Sequence, residues 1–185
     1  MRTALLVIDV QESFRHRPYW HDADLPAFIA NVQALIDQCT AAGVPVLQVF
    51  HEEPGGATEP FAAASGHVRT MHGLRIEPVA VFRKSVHSAM FAREASGRSL
   101  ESWLRAHGIE RLLITGIRTE QCCETTTRHA SDLGFDVRYV SDATLTFAMR
   151  AASGREYSAA DIRERTELVL AGRFARIVTT GAALE

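Results

Sequence analysis

The stretch Arg111–Val140, RLLITGIRTEQCCETTTRHASDLGFDVRYV, sets an apolar run, a helical pattern and a second apolar run end to end. Arg111–Thr115 (RLLIT) reads as a strand buried on both faces, because apolar and branched residues follow one another without polar alternation. Cys123, Thr126, Ala130 and Leu133 then fall on one helical face, and Gly134 is a helix stop. Val137–Val140 reads as the next strand. Strand, helix, strand in that order pairs its strands in parallel through a right-handed crossover.

The same alternation runs outward in both directions. Ala4–Ile8 (ALLVI) predicts a first strand, and Asp24 caps a helix carried by Leu25, Phe28, Ile29, Val32, Leu35 and Ile36 and stopped at Gly43. Val44–Phe50 and Val79–Phe82 predict two more strands, separated by a surface excursion over 51–77 that is long enough to be functional. Leu100, Trp103, Leu104 and His107 mark a helix ending at Gly108. Ser158 and Asp161 form a capping pair that opens a last helix, stopped at Gly172, and Ala175–Thr179 predicts the last strand. The expectation is an α/β protein, a three-layer α/β/α sandwich with a central, mainly parallel sheet, in one domain over residues 1–185.

The bulk properties narrow the function. A formal charge of −2 without blocks of like charge gives no basic surface for nucleic acid or membrane. The N-terminal apolar run is ended by Asp9, too short for a signal peptide or a span. Three cysteines without framework spacing do not read as disulfides, so a reducing cytoplasm is expected.

Ligands in open parallel sheets bind beyond the carboxyl ends of the strands. Asp9 directly follows the first strand, Lys84 lies two residues past the third, and Cys122 follows the fourth and starts a helix. An acid, a base and a thiol therefore emerge on one edge. A thiol at a helix start beside a lysine is expected to favour the thiolate. Each residue also has a duller reading, as loop cap, surface charge or buried small hydrophobe.

Gly116-Ile117-Arg118-Thr119-Glu120-Gln121-Cys122 with Thr126 resembles the G-[IV]-x-T-x-x-C signature of the isochorismatase-like cysteine hydrolases, the superfamily of nicotinamidases, carbamoylsarcosine amidohydrolase and ureidoacrylate-type amidohydrolases. LLVIDVQESF supplies that family's Asp and Gln as Asp9 and Gln11, and FRKSVHSAMF its K-x-x-x-S-A-F element as Lys84, Ser88 and Ala89, with Met90 in place of Phe. The resemblance implies a catalytic triad of Asp9, Lys84 and Cys122. It further implies an oxyanion hole from the backbone N–H groups of Arg118 and Cys122, and a cis peptide between Ile117 and Arg118. It implies hydrolysis of a small-molecule amide or other C–N bond through a thioester, and a homo-oligomer, dimer or tetramer. Vinyl-ether hydrolysis, which needs the acid but no thiol, and a silent binding module are the alternatives. Cys123 takes a position usually held by Val, and Cys39 reads as core.

Two departures bear on ligands. Metal-dependent nicotinamidases carry D-x-H after the second strand, where this chain has Val49-Phe50-His51, so neither metal nor other cofactor is expected, although His51, His67 and His72 could cluster. Arg118 replaces a small residue, and pairs with Glu120 or Glu124 or reaches toward an anionic substrate. Gln11, Phe14, Trp20, His51, His87 and Phe147 are the candidate pocket residues, from loops beyond the strand ends.

Overall fold

In the computed structural model, which describes residues 1–185, the chain folds around one six-stranded, wholly parallel sheet. Its strands are β1 (Thr3–Ile8), β2 (Val46–His51), β3 (Ala80–Lys84), β4 (Arg111–Ile117), β5 (Asp136–Leu145) and β8 (Arg176–Val178), in the spatial order β3-β2-β1-β4-β5-β8. The helices are α1 (Leu25–Ala41), α2 (Leu100–Ala106), α3 (Glu124–Asp132) and α4 (Ala159–Leu170).

Alternation along β1 shows why the sheet is covered twice. Ala4, Leu6 and Ile8 join a core with Leu100, Trp103, Leu104, Cys123, Ala130 and Leu170, from α2, the α3 region and α4. Leu5 and Val7 point the other way, into a core with Phe28, Val32, Leu35, Ile36 and Cys39 of α1. Both sets are fully buried, so an uninterrupted apolar run is what such a strand requires. The excursion 51–77 completes the α1 side by sending Phe61, Met71 and Leu74 into the same core.

From β1 the chain steps outward to β2 and β3, then returns to place β4 on the other side of β1. Right-handed crossovers laid in opposite directions put their connections on opposite faces. The reversal between β1 and β4 is a topological switch point, where the strands' carboxyl ends part and leave a crevice.

The elements expected from sequence are all present, with shifted ends. β3 continues to Lys84, so the lysine is the strand's last residue rather than lying beyond it. β5 runs on through Ser141 and Asp142 to Leu145, past a register shift against β4 between Ile114 and Gly116. A small hairpin, β6 (Met149–Arg150) with β7 (Glu156–Tyr157), was not expected. Ser158 and Asp161 form the anticipated reciprocal capping box on α4. No helix is long and apolar enough to cross a membrane.

Candidate active site

Three strand ends deliver the site. Asp9 follows β1 with φ of 55°, a left-handed conformation that non-glycine residues hold at a cost of about 1–3 kcal/mol and that clusters at functional sites. Its N–H donates to the Val49 carbonyl at 2.9 Å. Cys122 lies in a π-helical turn, Thr119–Cys123, that leads into α3. The Tyr139 hydroxyl donates to the Thr119 carbonyl, and the Thr119 hydroxyl to Thr144, which fixes that turn on β5. The peptide between Ile117 and Arg118 is cis. Thr126 ties two motif pieces together, since its hydroxyl accepts the Ala89 N–H at 2.9 Å.

Lys84 ends β3, two strands away from β1, and its long side chain reaches across the end of β2. Its Nζ donates to Asp9 Oδ2 at 2.6 Å, to Cys122 Sγ at 3.4 Å and to His51 Nδ1 at 3.1 Å. Three N–H bonds meet three acceptors, a fit that suits a compact ammonium and not a planar guanidinium. Lys84 is the chain's only lysine; its other 19 basic side chains are arginine. The Asp9 and Lys84 side chains are wholly buried, and Asp9 Oδ1 has no partner.

The electrostatics run against one expectation. Burial pushes the Cys122 thiol well above its ordinary range, the Asp9 charge pushes it further, and Lys84 opposes both. The Asp9–Lys84 pair already balances its charge, so a resting thiolate would leave a buried net negative charge. Burial and the Asp9 carboxylate thus favour the thiol form of Cys122 over the expected thiolate. For Lys84, burial disfavours the ammonium, but the charges of Asp9 and Cys122 outweigh it and the net shift is upward. Burial and Lys84 lower His51 against the opposing pull of Asp9 and Glu53, which keeps its imidazole neutral.

A cavity of about 310 Å³ opens on Cys122, lined among others by Phe14, Arg17, Tyr19, His51, Glu53 and Phe61. His87 and Gln121 complete its polar side. Of the pocket residues expected from sequence, Phe14, His51 and His87 line it; Gln11, Trp20 and Phe147 do not. Gln11 is buried and clasps the His51 backbone, accepting its N–H at 2.8 Å and donating to its carbonyl at 2.9 Å. Phe147 is buried behind the wall, its ring centroid 5.1 Å from those of Tyr19 and Trp20. Arg17, Tyr19, Glu53 and Phe61 carry no motif, and only the fold brings them here. A larger cavity of about 530 Å³ between the hairpin and α4 contains none of the triad.

The Arg118 side chain takes the first of its anticipated roles. It pairs with Glu120 at 2.8 Å and lies over the Tyr19 ring at 4.6 Å, bracing the cavity wall. Glu124 pairs instead with Arg128 and Arg165.

His51, His67 and His72 do not cluster: the His67 ring lies tilted against that of His16, and the His72 backbone N–H donates to Glu12. The one set of potential metal ligands is Asp9, His51 and Cys122, whose donor atoms lie within 4.8 Å of one another. These residues do not fit a metal, because the Lys84 ammonium already donates to all three and a divalent cation among them would face it. Val49, where the metal-dependent enzymes place a carboxylate, is buried and apolar. Turnover is expected to be unchanged after exhaustive chelation; stoichiometric zinc or iron whose removal stops turnover would contradict this.

Selective alkylation checks the thiol assignment. Cys122 reaches the cavity, whereas Cys39 and Cys123 are at 0% exposure. Burial raises all three thiols, Cys122 included, so access to the cavity and not ionisation separates them. Iodoacetamide at mildly alkaline pH, followed by peptide mass spectrometry, should modify Cys122 long before the other two. Earlier labelling of Cys123 would move the nucleophile.

The isochorismatase domain family model matches residues 3–180. The isochorismatase family protein YrdC of Bacillus subtilis is 29% identical over 181 residues, covering 97% of this chain and 92% of that one. Nicotinamidase 3 of Arabidopsis thaliana is 29% identical over 157 residues, covering 78% and 73% respectively. The crystal structure of a Burkholderia xenovorans LB400 protein, provisionally assigned as an isochorismatase, superposes with a TM-score of 0.83 at 31% identity, covering 97% of this chain and 84% of that one. With its parallel sheet, switch-point crevice and domain match in agreement, the chain belongs to the isochorismatase family.

Proposed function

We propose that this protein hydrolyses the amide, or another C–N bond, of a small planar molecule through a thioester on Cys122, without a metal. The observation that carries the reading is the buried Lys84 ammonium held between Asp9 and Cys122, the thiol that lines an aromatic-walled cavity.

Asp9, whose Oδ1 is unpartnered, accepts the Cys122 proton as Sγ bonds to the substrate carbonyl carbon. The carbonyl electron pair moves onto oxygen, which the backbone N–H groups of Arg118 and Cys122 stabilise. Collapse restores the carbonyl and breaks the C–N bond, and the departing amine takes the proton from Asp9. Asp9 then deprotonates a water that attacks the thioester, and Cys122 leaves with the proton returned. Lys84 stays charged throughout and offsets the negative charge that moves between carboxylate, sulfur and oxygen.

Phe14, Tyr19 and Phe61 provide flat apolar walls, and about 310 Å³ limits the substrate to a small molecule. The nicotinamidase among the relatives is consistent with an amide. Ammonia release across a panel of primary amides, carbamoyl and ureido compounds is the test. Release from one class, lost after Cys122 alkylation, supports the reading; release that persists on the fully alkylated protein overturns it.

A further inference from the structure

The triad accounts for two of the Lys84 acceptors and leaves the third, His51, without a role. An ammonium only donates, so the 3.1 Å contact requires His51 Nδ1 to be the acceptor and places the ring proton on Nε2. That Nε2 lies 3.3 Å from Glu53 Oε1 at the cavity mouth, and Glu53 in turn contacts Arg17 at 3.5 Å. His51 pairs in register with Lys84 across β2 and β3, and the Gln11 amide holds its backbone from the other side.

We propose that His51 is a positioning residue: by taking the third Lys84 N–H on Nδ1, it aims the ammonium between Asp9 and Cys122. The assignment rests on the proposed hydrolase reading and deepens it. Without that acceptor, Lys84 can rotate its protons toward solvent and leave the sulfur or the carboxylate during the reaction. A protonated His51 could not accept, so acid should disable the site. The groups facing the imidazole are Lys84 from β3, Asp9 from the end of β1, Cys122 from the π turn and Glu53 from its own loop, with Arg17 beyond Glu53.

The test compares His51→Ala with His51→Asn, whose Oδ1 lies near the place of Nδ1 and accepts without titrating. On the amide found by the panel, His51→Ala should lose about 10- to 100-fold in kcat, the effect of one hydrogen bond to a charged group, with KM little changed. His51→Asn should recover most of that loss, and the acid limb of the wild-type kcat profile, expected below the ordinary imidazole value of 6.5, should move to lower pH in it, where only the need for an ionised Asp9 remains.

A second readout needs no substrate. Because Lys84 is the only lysine, its ammonium gives a single side-chain ¹⁵N–¹H signal that slow exchange makes visible in wild type. The signal should persist in His51→Asn and be lost in His51→Ala. Equal ammonium exchange and equal kcat in wild type and His51→Ala overturn the assignment, as does an unchanged acid limb in His51→Asn if the alanine variant does not fold. Undiminished turnover by Cys122→Ala would instead sink the hydrolase reading, and the ammonium signal would still judge His51.

Discussion

Cys122→Ala should abolish amide hydrolysis, by about 10⁴-fold or more, because no thioester forms and no other thiol lines the cavity. Asp9→Asn should be comparably damaging, since the thiol proton then has no acceptor and the leaving amine no donor. The two variants should differ in stability. Cys122→Ala removes a sulfur at the edge of the core, whereas Asp9→Asn leaves the fully buried Lys84 ammonium without its countercharge. Stranding a buried charge in that way costs about 3–5 kcal/mol. Residues acting as one unit lose activity non-additively, so the double variant should turn over little worse than either single one. The same pair separates amide from vinyl-ether chemistry. For vinyl-ether hydrolysis Asp9→Asn is still inactive, but Cys122→Ala keeps its turnover of isochorismate. Steady-state rates of both variants on both substrate classes, with circular dichroism confirming the fold, decide between them. Undiminished amide turnover by Cys122→Ala would end the thioester mechanism.

What the sequence made legible follows from how far each signal reaches. β1 was legible because five consecutive apolar residues bury on both faces, and α4 because its capping box is a contact between Ser158 and Asp161, three positions apart. Asp9, Lys84 and Cys122 were legible because each sits on or just beyond a strand end, and parallel strands put those ends on one edge. The far end of β5 was not, because Ser141 and Asp142 interrupt the apolar run inside a continuous strand. The pocket wall was largely hidden. Arg17 and Phe61 meet as a guanidinium over a ring at 4.2 Å from two loops with no shared local pattern. The upward push on the Cys122 thiol was hidden for a related reason: a neighbouring lysine and a helix start can be read from sequence, but burial and the facing Asp9 carboxylate are properties of the folded site.

Gly116→Ala is expected to be the most damaging single-methyl change in the chain. Gly116 pairs in register with Ile8 across β1 and β4, at φ of 136°. A Cβ there would lie 1.9 Å from the Ile8 carbonyl oxygen, 2.7 Å from its carbonyl carbon and 2.9 Å from its nitrogen. All three are backbone atoms, so no side chain can rotate away and the strands themselves must part. They would part next to Asp9, which follows Ile8, and next to the Ile117–Arg118 peptide that leads to Cys122. Conformational strain of about 1–3 kcal/mol and overpacking of about 1–3 kcal/mol together predict a loss of roughly 2–6 kcal/mol. At about 2–4 °C per kcal/mol for a chain of this size, the melting temperature should fall by roughly 4–24 °C. Gly134→Ala is the internal control, with a positive φ of 85° but nothing within 4 Å of the new methyl. It should show the strain alone and keep its turnover, whereas Gly116→Ala should lose activity even well below its own melting temperature, because the displaced backbone is the one that aims Asp9 at Lys84. Thermal unfolding and rates measured on the two variants side by side test this. If Gly116→Ala melts no lower than Gly134→Ala and retains turnover, close approach at Ile8 is not what sets the geometry of the site.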